Sequence, residues 1–283
     1  MYDLHLHSEY SFDGSDSVFA LCDRALALGL SGIAVTDHVD LVSDPRLLPE
    51  FTPEKLVRTT KGSSGDVTKA KADYAGRLEV LSGLELGQPL HNRELSEFIL
   101  HTYDYDFVLG SVHNLRATDD FYFMRYDSAA QAIAMLRDYF DELLEITGWG
   151  MFDSLAHLTY PLRYMIGRDK IHIDLSLFAK QTDEILSLLA QKGMALEINT
   201  SGLRQDIGDT LPGEYFVRRF RELGGRHITL GSDAHRVNDM GFGLREGAAL
   251  ARRCGFDSLT IFRRHEPVLV PFGELEGGVW KAL

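Results

Sequence analysis

Short apolar runs alternate with longer segments of helical spacing along the whole 283-residue chain. The runs lie at 2–7 (YDLHLH), 32–37 (GIAVTD), 78–86 (LEVLSGLEL), 106–113 (DFVLGSVH), 152–157 (FDSLAH), 195–200 (ALEINT) and 227–233 (HITLGSD). Between them, 17–29, 128–148 and 176–193 carry helix-type periodicity; in the second, Ala132, Met135, Leu136, Tyr139, Phe140, Leu143 and Leu144 recur at the spacing of one buried stripe. Strand and helix in strict alternation predict parallel strands joined by crossover helices. These units leave no sequence for a second core, so a closed or distorted α/β barrel forming one domain over 1–283 is expected. Two stretches break the pattern. Residues 41–75, with SDPRLLPEF and GSSGD, read as a lid or surface loop, and the tail after about 256 carries no assigned element.

At or just past the C-terminal end of each run stands a His, Asp or Glu: His5 and His7, Asp37 and His38, Glu85, His113, His157, Glu197 with Asn199, and Asp233 with His235. In a parallel barrel these ends converge on one face, where such residues form sites rather than scaffold. His5 and His7, one residue apart on a strand, point the same way. Of the eleven histidines, His91, His101, His172, His227 and His265 fall elsewhere and read as ordinary loop, helix or core residues. Imidazole mixed with carboxylate is the donor set of Zn, Fe and Mn sites. The donors outnumber the ligands of one tetrahedral ion, which points to a cluster with a bridging carboxylate.

Composition narrows the partners. The formal charge of −13 and the lack of a basic stripe disfavour nucleic acid. No run of about 18 apolar residues occurs, so no membrane partner is expected. The two cysteines, Cys22 and Cys254, fall in helix-like segments and read as buried thiols of a cytoplasmic protein.

The ordered blocks HLHSEYSFDG, AVTDH, GLELG, GSVH, LAH and GSDAH, spread over residues 5 to 235, resemble the polymerase-and-histidinol-phosphatase (PHP) superfamily. Within it the chain is similar to the monofunctional histidinol-phosphate phosphatases in its length and in the YDFVLGSVH and LEINTSGLR blocks. The resemblance implies a distorted seven-stranded (β/α)7 barrel, TIM-barrel-like, with three divalent metal ions (Zn, Fe or Mn). It implies a first ion on His5, His7, Glu85 and Asp233, a second on Glu85, His113 and His157, and a third on Asp13, His38 and His235. Glu85, Asp233 and His113 would then be catalytic, with Asp37 orienting a ligand imidazole. Arg163 and Arg204, with Arg116 as a further candidate, would clamp a phosphate. The activity implied is hydrolysis of L-histidinol phosphate; another small phosphate monoester, or a metal-binding protein without activity, stays open on the sequence. SVHNLRATDD departs from the family at Asn114 and Arg116, which bears on the substrate and not on the chemistry.

Overall fold

The computed structural model describes residues 1–42 and 51–275. Each apolar run becomes a strand: β1 (Tyr2–Leu6), β2 (Gly32–Val35), the short β3 (His38–Asp40), β4 (Glu79–Gly87), β5 (Phe107–Ser111), β6 (Ser154–Leu155), β7 (Ala195–Asn199) and β8 (Ile228–Gly231). All pair in parallel in the order β1-β2-β4-β5-β6-β7-β8, with β3 prolonging the line of β2 along β4. This is the expected seven-stranded barrel-shaped sheet, and its strands are buried nearly throughout because helices cover the outside.

The barrel is distorted at the seam between β1 and β8. Among the described residues no ladder joins them; their backbone pairing is one bridge, Leu6 to Ala234, with Asp233 N donating to His5 O and His7 N to Ala234 O, both at 2.9 Å. Below that bridge the buried carboxylate of Asp3 replaces the ladder. It accepts from Ser232 N (2.8 Å), Ser232 Oγ (2.6 Å) and Gly241 N (2.9 Å). The seam therefore fixes the segment that carries Asp233 and His235.

Among the helices, α1 (Val18–Leu28) starts where Ser17 Oγ accepts from Ala20 N and stops at Gly29, whose φ of 73° suits a residue without a Cβ. The segment 41–75, read from sequence as a loop, is corrected over most of its length: α2 (Pro53–Asp73) runs through GSSGD. Thr52 caps it, Pro53 opens it, and Leu56, Thr60, Ser63, Val67 and Ala70 form the buried face. The pattern was hidden because two of those buried residues are hydroxylic and because Gly62 leaves room for the ring of Tyr10. Residues 43–50 of the expected lid lie outside the described residues. Further along come α3 (Arg93–Thr102), α4 (Ala129–Trp149), α5 (Ala179–Lys192), α6 (Glu214–Glu222) and α7 (Leu244–Arg253).

The tail is also structured. β9 (Ser258–Arg263) and β10 (Glu266–Pro271) form an antiparallel hairpin. Its two-residue turn, Arg264 and His265, has φ of 53° and 66° without the glycine or asparagine that usually announces such a turn. Phe262 stacks on Phe107 and Arg263 pairs with Glu79, which fastens the hairpin below the barrel. Among the described residues no helix is long and apolar enough to cross a membrane.

Candidate metal centre

The C-terminal rim brings together the donors of the three sets that the resemblance implies, and they overlap: the ligand atoms that converge belong to His5, Glu85 and His157, to His5, His7 and Asp233, to His7, His38 and His235, and to His38, Asp40 and His113. In the first, His5 Nε2 lies 3.2 Å from Glu85 Oε2 and 3.8 Å from Asp233 Oδ1, and His7 Nε2 lies 3.5 Å from each of those oxygens. In the second, the other oxygen of Glu85, Oε1, lies 3.1 Å from His113 Nε2 and 2.8 Å from His157 Nε2, the two nitrogens being 3.3 Å apart. In the third, His235 Nε2 lies 3.2 Å from Asp13 Oδ2 and 3.4 Å from His38 Nε2. Glu85 thus turns Oε1 to the second set and Oε2 to the first, as a bridging carboxylate does, and Oε2 also lies 3.1 Å from His38 Nδ1.

Backbone geometry aims these groups inward. His157 and Asp233 each sit two residues past a short strand, and both have positive φ, 23° and 54°. Non-glycine residues hold such angles only where the surroundings fix them. Here Glu197 Oε2 accepts from His157 N at 2.8 Å, and His5 O accepts from Asp233 N.

A second ring of carboxylates orients the imidazoles. Asp40, which the sequence reading missed, lies 2.7 Å from His113 Nδ1 and 3.2 Å from His38 Nδ1. Glu197, noted without a role, lies 2.7 Å from His5 Nδ1. By engaging Nδ1 these acids leave Nε2 of His5 and His113 free to bind a cation. Two glycines make room for them. A Cβ on Gly87 would collide with Asp40 Oδ1, and one on Gly231 with His5 and Glu197.

Asp37 acts differently from the expectation and touches no imidazole. Its carboxylate accepts from Ser8 N, Ser8 Oγ, Ser11 Oγ and Ser63 Oγ. It reaches the site only through Ser11, whose hydroxyl lies 3.2 Å from His7 Nδ1. The hydroxyl-rich SEYS turn satisfies this carboxylate before any ring can approach it.

The electrostatics suit a cation. Burial alone would raise Glu85, but His113, His5 and His38 outweigh it and hold its carboxyl well below the usual range. Burial likewise opposes ionisation of Asp233, yet His5, His7 and Arg163 keep it well below its ordinary value. Asp13 is brought down to about 2, burial being outweighed by His38 and His235. Burial, together with the nearby His235 and His38, pushes His7 well below the usual imidazole value, so its lone pair is available. Burial resists charge on His113, but Asp40 and Glu85 raise it to about 10. A field able to hold a proton on such a ring offers the same stabilisation to a divalent ion. His7 Nε2 is also buried without a hydrogen-bond partner, which is the mark of a ligand atom. The residues fit metal ions.

A cavity of about 430 Å³ opens on these sets and is lined by Arg163 among others. The Arg163 guanidinium is buried, lies over the Tyr160 ring at 4.6 Å, and directs Nη2 at Asp233 Oδ2 and Ser201 Oγ, both 3.3 Å away. Its Nε is buried without a hydrogen-bond partner among the described residues. The other two arginines expected at a phosphate do not line the cavity. Arg204 spends its fork on the carbonyls of Ser232 (2.6 Å) and Asp233 (2.7 Å), so it braces the loop behind the ligands. Arg116 is exposed and donates to Leu90 O.

The PHP domain model matches residues 3–201, and the chain belongs to that family. Among its relatives, a histidinol-phosphatase of Lactococcus lactis is 29% identical over 274 residues, covering 92% of this chain and 93% of its own length. A probable histidinol-phosphatase of Thermotoga maritima is 28% identical over 261 residues, covering 92% and 95%. The crystal structure of the histidinol phosphate phosphatase of Lactococcus lactis, complexed with zinc, L-histidinol and phosphate, superposes with a TM-score of 0.75 at 27% identity, covering 94% of this chain and 98% of that one.

Proposed function

We propose that this chain is a metal-dependent phosphatase that hydrolyses L-histidinol phosphate to L-histidinol and inorganic phosphate. The observation that carries the reading is the division of Glu85 between two donor sets beside a third, at the floor of a cavity holding a buried arginine. Similarity to the Lactococcus lactis enzyme, solved with zinc and both reaction products, supports the substrate. His5, His7, Glu85 and Asp233 would hold one divalent ion, Glu85, His113 and His157 a second, and Asp13, His38 and His235 a third, with Zn, Fe and Mn the metals such donors select. Divalent ions there supply Lewis-acid charge for phosphoryl transfer and lower the pKa of water.

The chain's own residues do the rest. Arg163 is held by Asp233, Ser201 and Tyr160, so its guanidinium is in place before a phosphate oxygen arrives. Asp40 and Glu197 keep their imidazoles in one tautomer throughout turnover. Burial of the donors excludes bulk water and strengthens every charge interaction with the phosphoryl group.

The test is a kinetic panel. The value of kcat/KM for L-histidinol phosphate should exceed that for glycerol phosphate or a nucleoside monophosphate by at least ~10²-fold. Equal values would define a broad phosphatase, and preference for a nucleotide would move the assignment to another small phosphate ester. Elemental analysis of the active protein should return three ions per chain; one would refute the trinuclear arrangement.

A further inference from the structure

Tyr160 joins two walls of the cavity. Its ring packs 4.9 Å from that of His113 and 5.1 Å from that of His157, and its hydroxyl donates to Asp120 Oδ1 at 2.9 Å. Tyr122 N donates to the same oxygen at 2.7 Å. Both donors are neutral. Asp120 Oδ2 receives no hydrogen bond from the described residues, yet Asp120 lines the cavity. Beside it stand Tyr122 and Phe123, 58% and 61% exposed, whose rings also line the cavity.

The segment is held in place in advance. Phe121 N donates to His113 O, Arg168 donates to the carbonyls of Tyr122 and Met124, and Asp169 accepts from Tyr126 N. Burial pushes the Asp120 carboxyl up and His113 offsets this only in part, and among the described residues no cationic side chain hydrogen-bonds it. A half-buried carboxylate with one unused oxygen, flanked by aromatic faces, is the chemistry that recognises an organic cation. On the same cavity Arg163, together with the cations that the donor sets would hold, would suit an anion. The cavity therefore offers a guanidinium for an anion and a carboxylate for a cation.

We infer that Asp120 is the specificity-determining residue for the cationic amine of the substrate, its Oδ2 taking the ammonium while the phosphate lies toward Arg163 and the donor sets. The inference rests on the substrate reading above and adds the residue that selects phosphate esters of amino alcohols over neutral ones.

The decisive variant is Asp120→Asn, which can still accept from Tyr160 and Tyr122 but carries no charge. The ratio of kcat/KM for L-histidinol phosphate to that for 4-nitrophenyl phosphate should fall by roughly 10- to 10²-fold, the worth of one charge-assisted hydrogen bond. Inhibition of 4-nitrophenyl phosphate hydrolysis by L-histidinol should weaken by the same factor. Asp120→Glu, which keeps the charge, should retain part of both. An unchanged ratio with unchanged inhibition overturns the inference, as does equal loss on the two esters, which would place Asp120 in the chemistry or the fold. A wild-type protein that neither prefers L-histidinol phosphate nor is inhibited by L-histidinol overturns instead the substrate reading on which this one rests.

Discussion

Asp40 lies 2.7 Å from His113 Nδ1 and 3.2 Å from His38 Nδ1, so one buried carboxylate serves rings of two different donor sets. Replacing it with alanine frees both rings to rotate and to change tautomer. Asp40→Ala should lower metal affinity or activity by roughly 10–100-fold while the fold stays intact, the range found for outer-shell partners of metal ligands. Chelator competition and turnover, with circular dichroism as control, measure this. Wild-type metal retention in the variant would mean that Asp40 is only a packing residue.

The Asp3 carboxylate is the corresponding element at the barrel seam. Asp3→Ala leaves Ser232 N and Gly241 N buried without an acceptor. Each orphaned group costs about 1–3 kcal/mol, so denaturant unfolding should show a loss of several kcal/mol. Because the same loop carries Asp233 and His235, metal content should fall with it. A stable variant with full metal would show that the seam closes without this residue.

Gly231 tests the tight packing around the first set. Gly231→Ala puts a Cβ into His5 and Glu197, neither of which can withdraw without disturbing a ligand. Overpacking of this kind costs about 1–3 kcal/mol. Thermal unfolding and metal analysis should both show a loss, whereas Gly65→Ala, where a Cβ meets nothing, should leave metal content unchanged.

The proposed ligands other than Asp13 were readable from sequence because each sits at or just past the end of an apolar run, and the barrel topology brings those ends together regardless of loop detail. What lay behind the ligands was not. Asp40 follows His38 in a strand too short to show alternation, and its partner His113 is distant in sequence and adjacent only through the pairing of β3, β4 and β5. Glu197 could be placed near the site but not given a ring to hold, since that depends on where the seam puts His5. Arg204 looked like a phosphate ligand because it follows a rim strand. The direction of its guanidinium is set by the carbonyls of Ser232 and Asp233, which no local pattern reveals. Helix α2 and the terminal hairpin were hidden by the same cause, tertiary partners such as Tyr10 and Glu79 that stabilise segments with weak local signals.

Glu79 gives a pH prediction. Its carboxyl is held below its ordinary 4.5 by hydrogen bonds from Arg263 and from Tyr2, against the opposing effect of burial. A carboxyl with a lowered folded-state pKa binds protons more readily when unfolded, so its contribution is complete above the unfolded value and is lost as pH falls through the folded one. The stability difference between wild type and Glu79→Gln should be constant near neutrality, shrink below about pH 4.5 and then disappear. Denaturant melts across pH 3–7 measure it. A difference that grows on acidification would contradict the hydrogen-bonded carboxylate.

The last prediction separates the two arginines that share a sequence signature but face different ways. Arg163 lines the cavity and is already held over Tyr160, so it can give a donor to a phosphate from a fixed place. Arg163→Lys keeps the charge but loses the planar fork, and a lost charge-assisted bond is worth about 1.5–3 kcal/mol. Its kcat/KM should fall by about 10- to 10²-fold, and inhibition by inorganic phosphate should weaken in parallel, with metal content near that of the wild type. Arg204→Ala acts from behind. Removing the donors to Ser232 O and Asp233 O loosens the turn in which Asp233 is held at positive φ, so metal affinity should drop first and activity should recover as metal is added. Metal titration against activity distinguishes the two. Should Arg204→Ala keep its metal and lose only phosphate binding, the loop must open on substrate binding and turn Arg204 into the cavity.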